Sequence, residues 1–489
     1  MSVANHFTLS NFFVILYAIS FLIALTIIFI ERKNPSAALA WLLILFMVPG
    51  IGILLYIFLS QNIYRQRIFR LTNYEHTILD SALQEQNSAI RRKEFSFSNE
   101  AAKKWQDMIL LNQSYDDAFY TQNNMVTVFT NGSHKFESLL KDIREAKKSI
   151  NIMYFIVKND ALGRALIHAL TEKAKEGVEV RFLIDAMGSR QIRDSMLLQL
   201  RRAGGKFAYF FPPRIKFLKY VNLKLNYRNH RKIVVIDGQI GYIGGYNVGN
   251  EYLGKSKKFG NWRDTHLRLI GSAVQDINAR FLLDWRFASG EDLLLPSVYY
   301  GEICPMGSTG IQIVSSGPDS EKTQIKQSFL KMITSAKKNI YIQTPYFVPD
   351  VSLIEALRTA VYSGVDVRIM IPCMPDHMFV YWATLSYVGE LLNDGARIFI
   401  YEDGFLHAKT VCVDGEVASV GSSNFDIRSF KLNFEANAFL YDESEVYKLE
   451  SIFESDMASC KELTKSEYKK RSALIKFKES VSRLLSDLL

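Results

Sequence analysis

One structural unit is written twice in this chain, and that repetition restricts the fold more than any other feature. Residues 128–185 and 313–372 each contain a helix running into "AKKSI" (146–150) or "AKKNI" (336–340), then a short apolar strand with Tyr and Phe. A second helix follows, then a Gly-Val turn (Gly177-Val178, Gly364-Val365) and another apolar strand, "VEVRFLID" (178–185) or "VDVRIMIP" (365–372). Strands alternating with helices imply parallel pairing in a sheet covered on both faces. A period this long means two duplicated domains rather than a solenoid. At 489 residues the chain is too long for one core, so duplication also accounts for its size. The segment Leu293–Ile303, with Pro296 and Gly301, is the expected junction. A pseudo-twofold axis would then bring features shared by both halves to their interface.

Ahead of the repeat lie two uncharged apolar stretches. Residues 11–30, "NFFVILYAISFLIALTIIFI", are long enough to cross a bilayer, and no Lys or Arg precedes them as in a secretory signal. After "ERKNPS" (31–36), residues 37–60 form a second stretch, in which Pro49, Gly50 and Gly52 allow a kink or re-entry. The expectation is a transmembrane helical hairpin. Arg32 and Lys33 in its loop are outnumbered by Arg65, Arg67 and Arg70, with "RRK" (91–93) beyond. The positive-inside rule therefore places the main body, and both chain ends, on the cytoplasmic side. A net charge of +9 and a pI near 9.1 favour anionic partners, whether acidic lipid or nucleic acid. Cys304, Cys373, Cys412 and Cys460 contain no C-x-x-C pair, a poor basis for a disulfide framework or a zinc site.

Each repeat continues into the same polar signature. "RNHRKIVVIDGQIGYIGGYN" (228–247) carries His230, Lys232, Asp237, Gly244, Gly245 and Asn247. "FLHAKTVCVDGEVASVGSSNFD" (405–426) carries His407, Lys409, Asp414, Gly421, Ser422 and Asn424 at identical spacing. His and Lys, two apart on a strand, leave the same face. The small pair at the turn lets backbone and Asn approach a ligand closely. The other histidines (His6, His76, His134, His168, His266, His377) have no such pairing, and read as ordinary residues.

This set suits phosphoryl chemistry. Two ammoniums and two amides can stabilise the non-bridging oxygens of a phosphodiester as phosphorus becomes five-coordinate. One imidazole can attack phosphorus, and the other can shuttle the proton of the leaving and entering alcohols. One ring must be neutral and the other protonated, so each needs a partner on its second nitrogen. Asp264 in "NWRDTHLRLIG" (261–271) and Glu435 in "KLNFEANAFL" (431–440) are the candidate orienters, each in a strand that follows its motif. Glu251 is a further candidate. Asp237 and Asp414 count with the catalytic set, although a strand running into a turn also suits a structural role.

These residues resemble the phospholipase D superfamily, defined by paired H-x-K-x4-D motifs. "GFLHAKTVCVDGEVASVGSSNFDIRSFKLNFE" (404–435), "TPYFVPD" (344–350), "GGYN" (244–247), "WRDTHLRL" (262–269) and the N-terminal "AALAWLL" (37–43) are similar to bacterial cardiolipin synthases, over essentially the whole chain. The resemblance implies an α/β fold of two tandem phospholipase-D-like α/β/α sandwich domains, related by pseudo-twofold symmetry and sharing one active site. Its divisions are a transmembrane hairpin (1–60), a helical connector (61–120), and domains at 121–302 and 303–489. It implies phosphatidyl transfer between two phosphatidylglycerols, giving cardiolipin and glycerol through a phosphohistidine, with no cofactor and no metal. His230 becomes the nucleophile and His407 the acid/base, which symmetry alone does not assign. Lys232, Lys409, Asp237 and Asp414 complete the catalytic set, with Asn247, Asn424, Gly245 and Ser422 binding substrate. Gly245 opposite Ser422 is the one departure between the copies. The implied partners are membrane phospholipids and not nucleic acid, and the implied location is the cell membrane, multi-pass. Water as acceptor, making a phospholipid hydrolase, is the alternative.

Three further segments bear on lipid. "FAYFFPPRIKFLKYVNLKLNYR" (207–228) interleaves rings with cations and suits a surface-dipping element or a packed connector. "MPDHMFVYWATLSYVGELL" (374–392) offers acyl-chain contacts or a half-buried helix. Residues 465–489 space Leu474, Phe477, Val481, Leu484 and Leu488 three or four apart among Lys and Arg. That is a basic amphipathic helix, packed on the second domain or lying on a membrane.

Overall fold

The computed structural model describes residues 9–31, 35–59, 68–69, 71–212, 227–294, 301–302, 305–484 and 486. Arg32, Lys33, Arg65, Arg67, Arg70, Pro296, Cys304, Leu488 and most of the 207–228 segment lie outside these residues. Two units are distinguished, one holding the described residues of Met1–Arg65 and Pro213–Tyr227, the other those of Gln66–Pro212 and Arg228–Leu489.

In the first unit, helix Leu9–Leu25 widens into a π-helical end at Thr26–Glu31. Its apolar part, Asn11–Phe29, is 19 residues long, about 28 Å, which matches a hydrocarbon core of about 30 Å. The second apolar stretch takes the kinked alternative that Pro49, Gly50 and Gly52 left open, not one straight span. It forms two helices, Pro35–Met47 and Pro49–Leu59, of 13 and 11 residues. The Trp41 and Tyr56 rings pack edge to face with centroids 5.4 Å apart, whereas a continuous helix would separate those residues by about 22 Å. A Cβ on Gly52 would lie 2.6 Å from the Ile44 carbonyl oxygen. The stretch folds back on itself because Pro49 cannot extend the preceding hydrogen-bond ladder and Gly52 lets two backbones touch. Each arm is roughly 20 Å or shorter, too short to cross alone.

The second unit contains both halves of the repeat, built to one plan. The first sheet runs Thr121–Asn131, Trp262–Ile270, Ile240–Gly244, Ile233–Ile236, Ser149–Tyr154, Glu179–Asp185, Lys206–Phe210. The second runs Thr309–Ser316, Asn433–Tyr441, Val417–Gly421, Thr410–Val413, Asn339–Gln343, Asp366–Pro372, Arg397–Tyr401, with Cys460–Leu463 at its edge. Strand Thr121–Asn131 pairs with both Trp262–Ile270 and Thr309–Ser316 and so ties the sheets together.

Within these two strand orders the βαβ portions are parallel. The motif strands are antiparallel, so the sheets are mixed rather than wholly parallel. The cause is local: Asp237-Gly238 and Asp414-Gly415 all have positive φ, 55°, 67°, 58° and 70°. That is the hairpin turn for which Asp-Gly is favoured. Helices cover the sheets through apolar stripes. Gly132–Glu145, capped by Asn131, buries Phe136, Leu139 and Ile143 at helical spacing. The segment expected to be a connector forms helices Asn73–Arg91, Glu100–Lys104 and Gln106–Asp116. Trp105, at the junction of the last two, and Met108 share a core with Phe329, Ile340 and Ile369 of the second half.

Candidate active site

Two very short strands decide the geometry. Arg228–Asn229, just before the first motif, pairs in parallel with Asn433–Tyr441 of the second half. Phe405–Leu406, just before the second motif, pairs in parallel with Trp262–Ile270 of the first. Each motif histidine is thereby hydrogen-bonded to the other half's backbone. His230 N–H donates to the Phe434 carbonyl (2.9 Å), and His407 N–H to that of Arg263 (2.7 Å).

The next residue along each partner strand is the carboxylate. His230 Nδ1 lies 3.0 Å from both oxygens of Glu435, and His407 Nδ1 lies 2.6 Å from Asp264 Oδ2. The expected orienters therefore act across the interface, each serving the histidine of the other half. Both carboxylates are completely buried, and with Nδ1 so engaged, Nε2 is the ring nitrogen left to the substrate. His230 and His407 line one cleft of about 700 Å³, together with Asn247 and Asn424.

The electrostatics push both rings the same way, toward the unprotonated form. Burial lowers the His230 pKa to about 4 despite Glu435, with Lys232 and Lys409 adding to the depression. Burial and Lys409 also lower that of His407, against the pull of Asp264. Burial raises the carboxylates, but this is outweighed at Asp264 by Lys409 and His407, and at Glu435 by His230 and Lys232; both end below their ordinary value. The lysines are buried beneath the rings. Lys232 Nζ donates to the His230 carbonyl at 2.5 Å, and Lys409 Nζ to that of His407 at 2.5 Å. Burial brings their pKa values down to about 7 and about 8.

Other expected site residues sit elsewhere. Asp237 accepts from the N–H groups of Lys147, Lys148 and Ser149, and Asp414 from those of Lys337, Lys338 and Asn339. Each pins the hairpin turn to its "AKKSI" or "AKKNI" corner, seven residues from the histidine, roughly 20 Å along an extended strand. They belong to the scaffold of the motif, which corrects their inclusion with the catalytic set. Ser422 serves Glu435 rather than a ligand: its Oγ donates to Glu435 Oε2 (2.5 Å) and its carbonyl faces His230 Nδ1 (3.1 Å). Gly245 is small for a related reason, since a Cβ there would fall 1.9 Å from Asp264 Oδ1. Asn247 accepts from Ile156 N–H (3.1 Å). Asn424 Oδ1 is buried with no hydrogen-bond partner among the described residues and faces the cleft. Glu251 pairs with Lys158 at 2.5 Å on the cleft wall.

Sequence reasoning missed three arginines. Arg231, inside the first motif, is buried between the halves, bonded to Asp284 (2.9 Å) and to the carbonyls of Glu435 (3.0 Å) and Ser316 (3.2 Å). Arg228 and Arg428 line the cleft. Arg228 was visible in principle, since it alternates with His230 and Lys232 in the strand period of two.

Comparison with known proteins agrees with this geometry. A family profile described as "Cardiolipin synthase, PLD-like domain" matches residues 139–273 and again 329–457, one match in each half. The major cardiolipin synthase of Bacillus subtilis (strain 168) is 50% identical over 483 residues, covering 98% of both chains. A cardiolipin synthase of Oceanobacillus iheyensis is 49% identical over 97% of this chain and 98% of its own. The chain belongs to the cardiolipin synthase family of phospholipase-D-like enzymes. A profile described as "Phospholipase_D-nuclease N-terminal" matches residues 18–61, and with the long apolar helix it indicates membrane association for this family member. The phosphatidylserine synthase structure from Haemophilus influenzae Rd KW20 superposes on 78% of this chain and 96% of its own, with a TM-score of 0.60 at 16% identity. That likeness extends the tandem phospholipase-D-like fold beyond the cardiolipin synthases.

Proposed function

We propose that the cleft transfers a phosphatidyl group between two phosphatidylglycerols, releasing glycerol and forming cardiolipin. The observation that supports this reading best is the exchange of carboxylates across the interface, which turns two imidazoles of opposite halves toward one cleft. His230 is the nucleophile in this reading, with Glu435 holding Nδ1 and leaving Nε2 free to face the phosphorus. Its Nε2 attacks the phosphorus of the first lipid while His407 Nε2–H protonates the departing glycerol oxygen, leaving a phosphohistidine. His407, against Asp264 at 2.6 Å, then takes the proton of the second lipid's hydroxyl as that oxygen displaces His230. Lys232, Lys409 and the Asn247 and Asn424 amides stabilise the five-coordinate phosphorus.

The topology belongs to the same proposal. A cytoplasmic catalytic body is supported by the positive-inside rule, since Arg65, Arg67 and Arg70 after the apolar stretches outnumber Arg32 and Lys33 between them.

Purified enzyme with headgroup- and acyl-labelled phosphatidylglycerol tests the reaction. Cardiolipin and glycerol in equal amounts are expected; phosphatidic acid and glycerol without cardiolipin would make the chain a hydrolase.

A further inference from the structure

The C-terminal helix Ala473–Leu484 is packed inside out. Its buried residues are Glu479 and Ser482, and Arg471, just before the helix, pairs with Glu479 at 3.0 Å. The opposite face carries Leu474, Phe477 and Leu484, exposed by 62%, 65% and 85%. With Val481 they recur at intervals of three and four, forming one stripe along the helix. An amphipathic helix in a soluble body turns such a stripe inward; this one turns it to the surroundings.

The stripe is not isolated. Lys478 lies over the Trp382 ring (5.2 Å) and Arg483 over Tyr387 (4.5 Å), which dock this helix on Met378–Asp394. That neighbour begins with Met378 and Phe379, exposed by 53% and 55%, and both also line the catalytic cleft. Ser486, just past the C-terminal helix, lines the cleft as well. Residues 465–484 contain seven Lys or Arg against two Glu, and Lys469, Lys470, Lys476 and Lys478 are exposed.

We infer that this surface, the Leu474–Phe477–Leu484 stripe with Met378 and Phe379, rests on an anionic bilayer and seats the cleft mouth at the lipid headgroups. Apolar side chains flanked by lysines are the composition of an interfacial helix, in which the chains enter the acyl boundary and the ammoniums meet lipid phosphates. A second copy is the poorer occupant, because it would oppose two surfaces of the same positive sign. The contact is distinct from the N-terminal anchor: the anchor holds the protein to the membrane, whereas this surface sets which way the cleft faces.

Side-chain footprinting by hydroxyl radicals, on the full-length protein in lipid nanodiscs, tests the inference without requiring turnover, so its failure is separable from failure of the transferase reading. In phosphatidylglycerol-rich discs Leu474, Phe477, Leu484, Met378 and Phe379 are expected to be modified about fivefold less than in phosphatidylcholine discs, while Tyr362 and Tyr447, exposed elsewhere on the body, are unchanged. Equal modification of the stripe in both lipids would overturn the proposal. Protection that requires two copies per disc, whatever the lipid, would overturn it in favour of a dimer. A Leu474→Gln/Phe477→Gln variant should raise the apparent KM for vesicle phosphatidylglycerol several-fold at unchanged kcat; an unchanged KM counts against it.

Discussion

The two motif hairpins share one backbone path and differ in what is wrapped around it. In the first, the position after the turn glycine is Gly245, and the carboxylate it leaves room for is the short Asp264. In the second it is Ser422, whose hydroxyl binds the longer Glu435. Between His and Lys the first motif has Arg231, bonded across the interface, and the second has only Ala408. The consequence is two imidazoles in unlike settings: His230 shares a carboxylate that also accepts from Ser422 and Asn433, whereas His407 Nδ1 sits between Asp264 at 2.6 Å and Lys409 Nζ at 3.0 Å. A duplicated site has acquired two unlike imidazole settings through a handful of side chains, on one shared strand order.

The sharpest way to break this comparison is to remove one imidazole at a time. His230→Gln and His407→Gln should each lower cardiolipin formation by about 10⁴-fold or more. They should then part company on a phosphodiester with an activated leaving group such as p-nitrophenol. There His407→Gln is expected to trap a covalent phosphoenzyme, detectable by mass spectrometry, and His230→Gln none; the reverse pattern would exchange the roles. Next come the crossed carboxylates. Asp264→Asn and Glu435→Gln should cost about 10² to 10⁴-fold in kcat at nearly unchanged KM, because each ring loses the acceptor that fixes its tautomer.

Smaller effects sharpen the contrast in stability. Arg231→Ala leaves Asp284 buried with less compensation and should destabilise the protein by about 3–5 kcal/mol in denaturant unfolding. Gly245→Ser, which imitates the other copy, should cost about 1–3 kcal/mol because Asp264 must move aside, and activity should fall with it. The mildest effect is a pH dependence. An anion in the cleft favours the ammonium forms of Lys232 and Lys409, whose pKa values are about 7 and about 8. Sulfate binding should therefore take up protons, and its affinity should fall as pH rises through 7 to 8. Titration calorimetry in buffers of different ionisation enthalpy reads both; affinity independent of pH from 6 to 9 would place these lysines outside the anion site.

Much of this arrangement was legible in the residues. The duplicated helix–strand order, the identity of the paired His and Lys, and the carboxylates Asp264 and Glu435 are all local patterns. What escaped is what depends on two distant segments meeting. That Glu435 belongs to His230 follows from the pairing of Arg228–Asn229 with Asn433–Tyr441, a contact no spacing rule encodes. The aspartates were misplaced for a different reason: Asp-Gly is a turn signal, and it carried more information than membership of the motif. Hydropathy measures how long an apolar run is but not whether it doubles back, so residues 37–60 left a span and a re-entrant turn both open, and the proximity of Trp41 and Tyr56 favours the second.

The exchange of carboxylates also constrains how such a molecule can come into being. A lone copy of the unit would carry an imidazole whose acceptor, in this arrangement, comes from the other copy, so half of the chain is expected to work only as a pair. Joining the two copies in one polypeptide makes that encounter independent of concentration. From then on each half is free to change its own side of the bargain only as fast as its sibling can follow.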